Sequence, residues 1–479
     1  MRQRFEQQLS LGIIPISEVE IRIKSRDEMP PLLVALQMIF VTEKLNEAVF
    51  TILEDTICKD KKATGRQGMD LWHILVLSLV RHACNTNWDK LHYFSNNDMT
   101  MRSIMGLHNN EFGEGFHEFE YQTILDNVSL LDAETIDKIN TIVVDYGVSL
   151  FKKKENESVQ LKTDSFVVET NIHFPTDLNL LNDSVRKGLE RIKKLIALNE
   201  IESEGWRKLK SVKKEFKTLL RSTSWAVFKG KKEDYKKEMV KKYVTKAKKI
   251  ETKLIEVLEN TADLELLKYK NYITLFISQI ERRLLKGEII PSEEKVFSIF
   301  EEHTEWISKG KHSPELGNMI MITTNQYQLI MDYKIMYKEK DASQITPLLE
   351  RLKNNYPNQI IDSLSTDKGF YSKTNFESCV NAGIKNVVMP KKGKCNKEEY
   401  AREHEPTFVK LRNKHSAVES NINMLEHHGL NRCMDKGKPH FERYVSLSIL
   451  AYNIHIIGNE LVKRLKEKQE KRSCFKQAA

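Results

Sequence analysis

The hydrophobic pattern divides the chain into three textures. Apolar residues recur at three- and four-residue spacing through 31–57 (PLLVALQMIFVTEKLNEAVFTILEDTI) and 69–83 (MDLWHILVLSLVRHA), the period of helices with a buried face. Gly65 and Gly68 punctuate the link between them, and shorter helical pieces are expected at 87–106 and 131–151. The period switches to two at 161–170 (LKTDSFVVET), which predicts a strand. After Pro175, Thr176 or Asp177 is placed to cap a helix, and from about 178 to 288 the pattern is helical again. Beyond Pro291, LGNMIMITT and QYQLIMDYKIMY flank a short polar Thr-Asn-Gln turn and predict an antiparallel hairpin. A helix at 345–354, a strand at 359–365, a helix stopped by Gly383, a strand at 386–389 and a long helix from near 408 complete the series.

With the central helical block set aside, the order is strand, strand, strand, helix, strand, helix, strand, helix. That order predicts an α/β fold: a mixed five-stranded sheet, three strands antiparallel and the rest continued by parallel βαβ units, flanked by helices. The expected organisation is an N-terminal helical domain (1–155), a first part of the sheet domain (156–180), a helical insertion (181–290), the second part of the sheet domain (291–460) and a basic tail (461–479). The N-terminal helices have room for a helix-turn-helix; a packing or dimerisation role is the other reading, and the pattern does not choose. No internal repeat is apparent.

Charge changes the picture more than overall composition does. The 479 residues allow two to four domains, and 40% hydrophobic with 30% charged residues is ordinary for a globular chain. The net charge of +9 favours a polyanionic partner such as nucleic acid. Residues 183–290 hold 28 Lys and Arg against 16 Asp and Glu, a surplus larger than that of the whole chain. This block reads either as a nucleic-acid-facing surface or as solvated helices laced with i,i+4 ion pairs. Six scattered cysteines without a C-x-x-C pair argue against a zinc site or a disulfide framework and suit a reducing compartment. No apolar run approaches eighteen residues and the N-terminus lacks the apolar core of a signal peptide, so a cytosolic protein with no membrane partner is expected.

Three acids fall at telling places. The two-residue period puts Lys162, Asp164, Phe166 and Val168 on one side of the first strand, where a carboxylate is costly unless something positive meets it. Asp367 lies just beyond the strand at 359–365, where open α/β sheets place their ligands. Glu419 lies on the last helix of the series beside Val418, Ile422 and Leu425, with Arg412 and His415 at a three-and-four spacing that would share its face. Each alone has a plain structural explanation. Together they converge at one end of the sheet, and three carboxylates repel unless cations lie between them. Two hard divalent ions accept such oxygens and support in-line displacement at phosphorus. Lys391, Lys392 and Lys394, in the loop before the Glu419 helix, are candidate phosphate contacts. Trp306, with His303 and Lys309 nearby, offers a ring and donors for a DNA end, a core role for Trp306 being the alternative. Asp177 reads best as a helix cap, and Asp332 and Asp341 as strand-end acids. His427, His428 and His440 show no metal-ligand spacing.

These stretches carry a family likeness. TGRQGMDLWHILVLSLVRHACNTNWDKLHYFSNND, LKTDSFVVETNIHFPTDLNLLNDSVR, FSIFEEHTEWISKGK, DKGFYSKTN, PKKGK and RNKHSAVESNINMLEHHGLNRC resemble, in order, the DDE transposases of bacterial insertion sequences, within them the ISNCY group. The likeness spans about residues 64 to 460 and implies an RNase H-like catalytic fold with Asp164, Asp367 and Glu419 as catalytic, metal-holding acids. It implies Mg2+, replaceable by Mn2+ and acting as two ions. It also implies double-stranded DNA partners (terminal inverted repeats and target DNA), a homodimer in the synaptic complex, and a bacterial cytoplasmic, nucleoid-associated enzyme that cleaves and joins strands. Related enzymes often carry Tyr and Arg seven and four residues before the last acid and Lys seven after it; here Arg412, His415 and Glu426 stand there. The insertion also follows the first strand rather than preceding the last catalytic helix.

Overall fold

The computed structural model describes residues 2–7, 13–59, 68–109, 116–154, 157–308 and 313–478. In chain order its helices and strands are α1 (Met29–Val41), α2 (Glu43–Ile57), α3 (Leu71–Ala83), α4 (Trp88–Asn97), α5 (Met99–Ile104), α6 (Tyr121–Val128), α7 (Ala133–Phe151), β1 (Val159–Glu169), α8 (Asp177–Ala197), α9 (Leu209–Lys229), α10 (Glu233–Asn260) and α11 (Leu264–Ile280). Then follow β2 (Glu305–Ile307), β3 (Glu315–Thr324), β4 (Ile330–Met336), α12 (Ile345–Asn355), β5 (Ile361–Thr366), α13 (Lys373–Asn381), β6 (Asn386–Val388), α14 (Lys397–Glu403), α15 (Pro406–His415), α16 (Ala417–Leu425) and α17 (Lys438–Ala478). They fall into two compact units: Met1–Asn171 with Gly317–Ala479, and Ile172–Leu316.

In the first unit five strands lie in the order β4-β3-β1-β5-β6. β1 runs antiparallel to β3 and parallel to β5; β3 and β4 form the expected antiparallel hairpin, and β5 and β6 are parallel. The mixed pairing is thus as the sequence pattern anticipates, but the sheet has six strands rather than the expected five. At the far end of β1 the backbones close tightly: a side chain at Gly317 would place its Cβ 2.0 Å from the Val168 carbonyl oxygen.

The N-terminal helices, expected as a separate domain, share this unit with the sheet. The reason is α17. Its first half, from Phe441 to Ile457, is mostly apolar and almost all buried, and it packs against α1, α3 and α7. The same helix continues into the expected basic tail. By length and composition it is apolar enough to cross a membrane, but its apolar half lies inside the helical layer. α1 and α17 come so close that a Cβ on Gly458 would meet the Pro31 carbonyl oxygen at 2.0 Å. All of α3, Leu71 to Ala83, is buried. Polar groups tie this layer together: Asn453 donates to Asn140 Oδ1 and to the Ile330 carbonyl and accepts the Ile330 N–H, joining α17 to α7 and β4. Arg81 of α3 forms a two-pronged ion pair with Asp435, just ahead of α17.

The second unit is built from four long helices. Thr176, not Asp177, caps α8: its hydroxyl accepts the Asn179 N–H, while Asp177 pairs with Arg283 at 3.0 Å. α8 buries Leu178, Leu181, Val185, Ile192 and Leu195 against α9 and α11. Tyr243 of α10 stacks on Phe216 of α9 and donates to the Leu178 carbonyl. The ion pairs of α9 point sideways, Lys213 to Glu190 of α8 and Glu215 to Lys246 of α10. That orientation leaves Lys210, Lys214, Lys217 and Arg221 in one exposed row, continued by Trp225 and Phe228, each 60% exposed. None of these four cations makes an ion pair among the described residues. The helical block therefore carries i,i+4 pairs, Arg186–Glu190 and Lys242–Glu238 among them, together with an open basic face.

Candidate active site

Asp164 sits midway along β1, on the strand face it shares with the half-buried Gln160 and Lys162, while Thr163 and Ser165 are buried on the other face. Its Oδ1 accepts the Ser165 N–H at 2.7 Å. The parallel register pairs Thr163 with Thr366, so Asp367, one residue beyond the end of β5, comes beside Asp164 on the adjacent strand. Asp367 is exposed and leads into a short turn in which its carbonyl accepts the Phe370 N–H. Gly369 lets that turn pass close to Asp341, whose Oδ2 would be 3.2 Å from an added Cβ.

Glu419 stands in the first turn of α16, which packs on β1 and buries Val418, Asn421 and Leu425. A single helix from near 408 is expected from the sequence. The structure instead breaks it at Ser416 into α15 and α16. Ser416 keeps helical backbone angles (φ −54°, ψ −18°); Arg412 and Glu419 are exposed, and His415 is half-buried. His415 is nonetheless the group that senses the acids. Burial pushes its imidazole below the ordinary histidine range, Asp367 and Glu419 pull it back up, and Lys162 adds to the fall. Both ring nitrogens are buried without a hydrogen-bond partner among the described residues. Burial and the nearby Lys414 likewise lower the Lys162 ammonium.

The donor set suits a hard divalent cation: three carboxylates, with no thiol among them. The bare nitrogens of His415 beside two of these acids fit a site that receives a further polar group. Among the described residues, no three His, Cys, Asp or Glu side chains stand close enough together to form a ready-made metal centre. Like charges hold carboxylates apart until a cation offsets them.

The other sequence candidates separate clearly. Lys391 is committed: its Nζ lies 2.9 and 2.7 Å from the Glu399 oxygens, and its N–H donates to Glu403. The Lys391 ammonium and the Asn396 N–H hold Glu399 down to about 2. Lys392 and Lys394 are exposed in the same loop. Trp306, on β2, is 43% exposed and lies against Phe297 and Phe174. The His303 side chain is buried beside Glu301, 3.8 Å away. Lys309 and Gly65 lie outside the described residues. Asp332 is buried in a two-pronged pair with Arg351, a structural role. Reasoning from sequence passed over Lys414 and Ser420, which line a cavity next to Asp164's strand face; the position of Lys162 two residues before Asp164 was the available signal.

Residues 285–454 match the family model of the transposase DDE domain. The matched span contains Asp367 and Glu419 and begins after Asp164, at the end of the helical insertion. No curated protein and no solved structure matches the chain. The sheet with its covering helices defines an α/β class compatible with such enzymes. The family match supports a DDE-type transposase.

Proposed function

We propose that this chain binds the terminal inverted repeats of an insertion sequence and catalyses cleavage and strand transfer of double-stranded DNA. The observation that carries the reading is the β1–β5 register, which sets Asp164 on β1 beside Asp367 after β5, with Glu419 on the helix packed against β1. The strand order β4-β3-β1-β5-β6 supports an RNase H-like core for this site, and the stretches quoted above support the ISNCY group.

Asp164, Asp367 and Glu419 are the residues that would hold Mg2+, or Mn2+ in its place. A bound pair of such ions supplies activation of an attacking oxygen and stabilisation of a leaving one. Water attacks the phosphodiester at the element's end: a new P–O bond forms, the old one breaks and a 3′-hydroxyl is freed. That hydroxyl then attacks a phosphodiester of the target. Lys392, Lys394 and Arg412 contact phosphates, and His415 faces the reacting strand beside Asp367 and Glu419. Lys391 acts indirectly, by fixing the loop through Glu399 and Glu403. Trp306 presents a part-exposed ring that stacks on a DNA end. The N-terminal helices read the inverted repeats, and the open basic row of α9 with Trp225 and Phe228 adds a DNA-facing surface. Joining two ends calls for a homodimer. The setting is the bacterial cytoplasm, at the nucleoid.

The test is cleavage and joining of a labelled duplex carrying the DNA that flanks this gene, with Mg2+ or Mn2+, for the wild type and Asp367→Asn. Metal-dependent nicking and joining, lost in Asp367→Asn while binding persists, is the expected result. Nicking without joining would make the protein a nuclease. Binding with neither, in both proteins, would leave a DNA-binding protein without catalysis.

A further inference from the structure

A polar cavity of about 480 Å3 opens beside the N-terminal half of β1. Gln160, Lys162, Gln326, Lys414, Ser416 and Ser420 line it, and among the described residues no acid does. Two of these side chains are already used. Gln326 donates to the Ser158 carbonyl and accepts the Gln160 N–H, which fixes the wall, and the Ser416 hydroxyl donates to the Asn413 carbonyl. Lys162 and Lys414 are different: among the described residues neither makes a side-chain hydrogen bond or an ion pair. Two ammonium groups therefore converge on one cavity with no counter-charge, an arrangement that an anion relieves. Ala417, the first residue of the nine-residue α16, completes the wall.

We propose that this cavity binds a phosphodiester of the DNA strand close to, but distinct from, the one acted on at Asp164 and Asp367. The proposal rests on the transposase reading. Lys162 and Asp164 lie two residues apart on one strand face, about 6.6 Å at the usual rise per residue. That is about two nucleotides of axial rise along one DNA strand. The cavity thus grips the backbone a step or two from the reacting phosphate and sets which phosphate reaches the acids. Lys162 and Lys414 supply the charge, and Ser420, next to Glu419, supplies a hydroxyl donor.

A methylphosphonate scan tests this. Single neutral linkages are placed in turn along the cleaved strand, and single-turnover nicking is measured for the wild type and for Lys162→Met/Lys414→Met. The wild type should slow about tenfold or more at one linkage within about three nucleotides of the cut, the size expected for a lost charge-assisted contact. The double variant should be slow on natural DNA and indifferent to that linkage. A flat wild-type scan, as a free phosphate ion in the cavity would give, overturns the proposal; so does a variant that keeps the full sensitivity. Lys414→Met alone, exposed at the end of α15, serves where the double variant does not fold. If the wild type nicks nothing, the transposase reading fails separately, and the salt dependence of duplex binding decides the cavity. Its log–log slope should become shallower by about 0.9 in the variant, and an unchanged slope overturns the proposal.

Discussion

The ion cluster between α3 and α17 offers the sharpest quantitative test of the first unit. Arg81 donates to both Asp435 oxygens, at 3.1 and 2.7 Å, and Arg443 lies 3.5 Å from the same carboxylate. The side chains of Arg81, Asp435 and Arg443 are 4%, 8% and 6% exposed. Replacing Asp435 with Ala leaves two buried guanidinium groups facing each other without their counter-charge. Breaking a buried pair in this way costs about 3–5 kcal/mol, a large part of the roughly 5–15 kcal/mol that holds a domain folded. Urea unfolding followed by Trp88, which lies under the Arg81 guanidinium at 3.9 Å, reads the effect locally. With urea slopes of about 1–3 kcal/mol per molar, the midpoint should fall by roughly 1–5 M. Adding Arg81→Met to Asp435→Ala should recover part of the loss, because one stranded charge is removed. The pH dependence has a definite sign. Burial pushes the Asp435 carboxyl up, but Arg81, His82 and Arg443 outweigh it and hold it below the usual range. Burial lowers the Arg443 guanidinium, and Asp435 pulls it back up. The stabilisation is complete above the unfolded carboxyl pKa of about 3.9 and is lost as pH falls through the lower folded value. A cost below about 1 kcal/mol for Asp435→Ala, or no recovery in the double variant, would refute the reasoning.

Other outcomes follow from single contacts. Gly458→Ala forces a methyl group into the Pro31 carbonyl and should destabilise the first unit by about 1–3 kcal/mol in the same urea assay. Thr176→Ala removes the α8 cap and should cost about 1 kcal/mol, read by hydrogen exchange of the first α8 turn. Replacing Lys214, Lys217 and Arg221 with Glu should flatten the salt dependence of duplex binding by about 0.9 per lost phosphate contact, with folding unchanged by circular dichroism.

The strands were legible because their signal is local. Two-residue alternation in LKTDSFVVET and the apolar runs of β3 and β4 need no knowledge of their partners. The role of α17 was not legible, because a helix apolar on every side carries no amphipathic stripe to say what it packs against. The break at Ser416 has no Gly or Pro to announce it, so α15 and α16 read as one helix. α14 is readable in principle: Asn396 and Glu399 form a capping box, hidden in a stretch whose lysines read as a basic loop. For the site, residue types and strand ends pointed to Asp164, Asp367 and Glu419. That Lys391 is held by Glu399, while Lys162 and Lys414 stand without ion pairs among the described residues, depends on contacts that no local pattern carries.

The pairing of Glu169 with Gly317 has a consequence for how the chain reaches its fold. The 147 residues between them stand where a hairpin needs only a short turn. As an open loop, closing that length costs roughly 4 kcal/mol of chain entropy before the first β1–β3 hydrogen bond forms. Among the intervening helices α9, α10 and α11 pack on their chain neighbours, the local kind of contact that forms fast, while α8 closes the unit against α11. Folded early, they shorten the loop that β1 must close. During synthesis β1 emerges long before either of its neighbours, with both edges bare, and its safe passage depends on how quickly that helical unit forms.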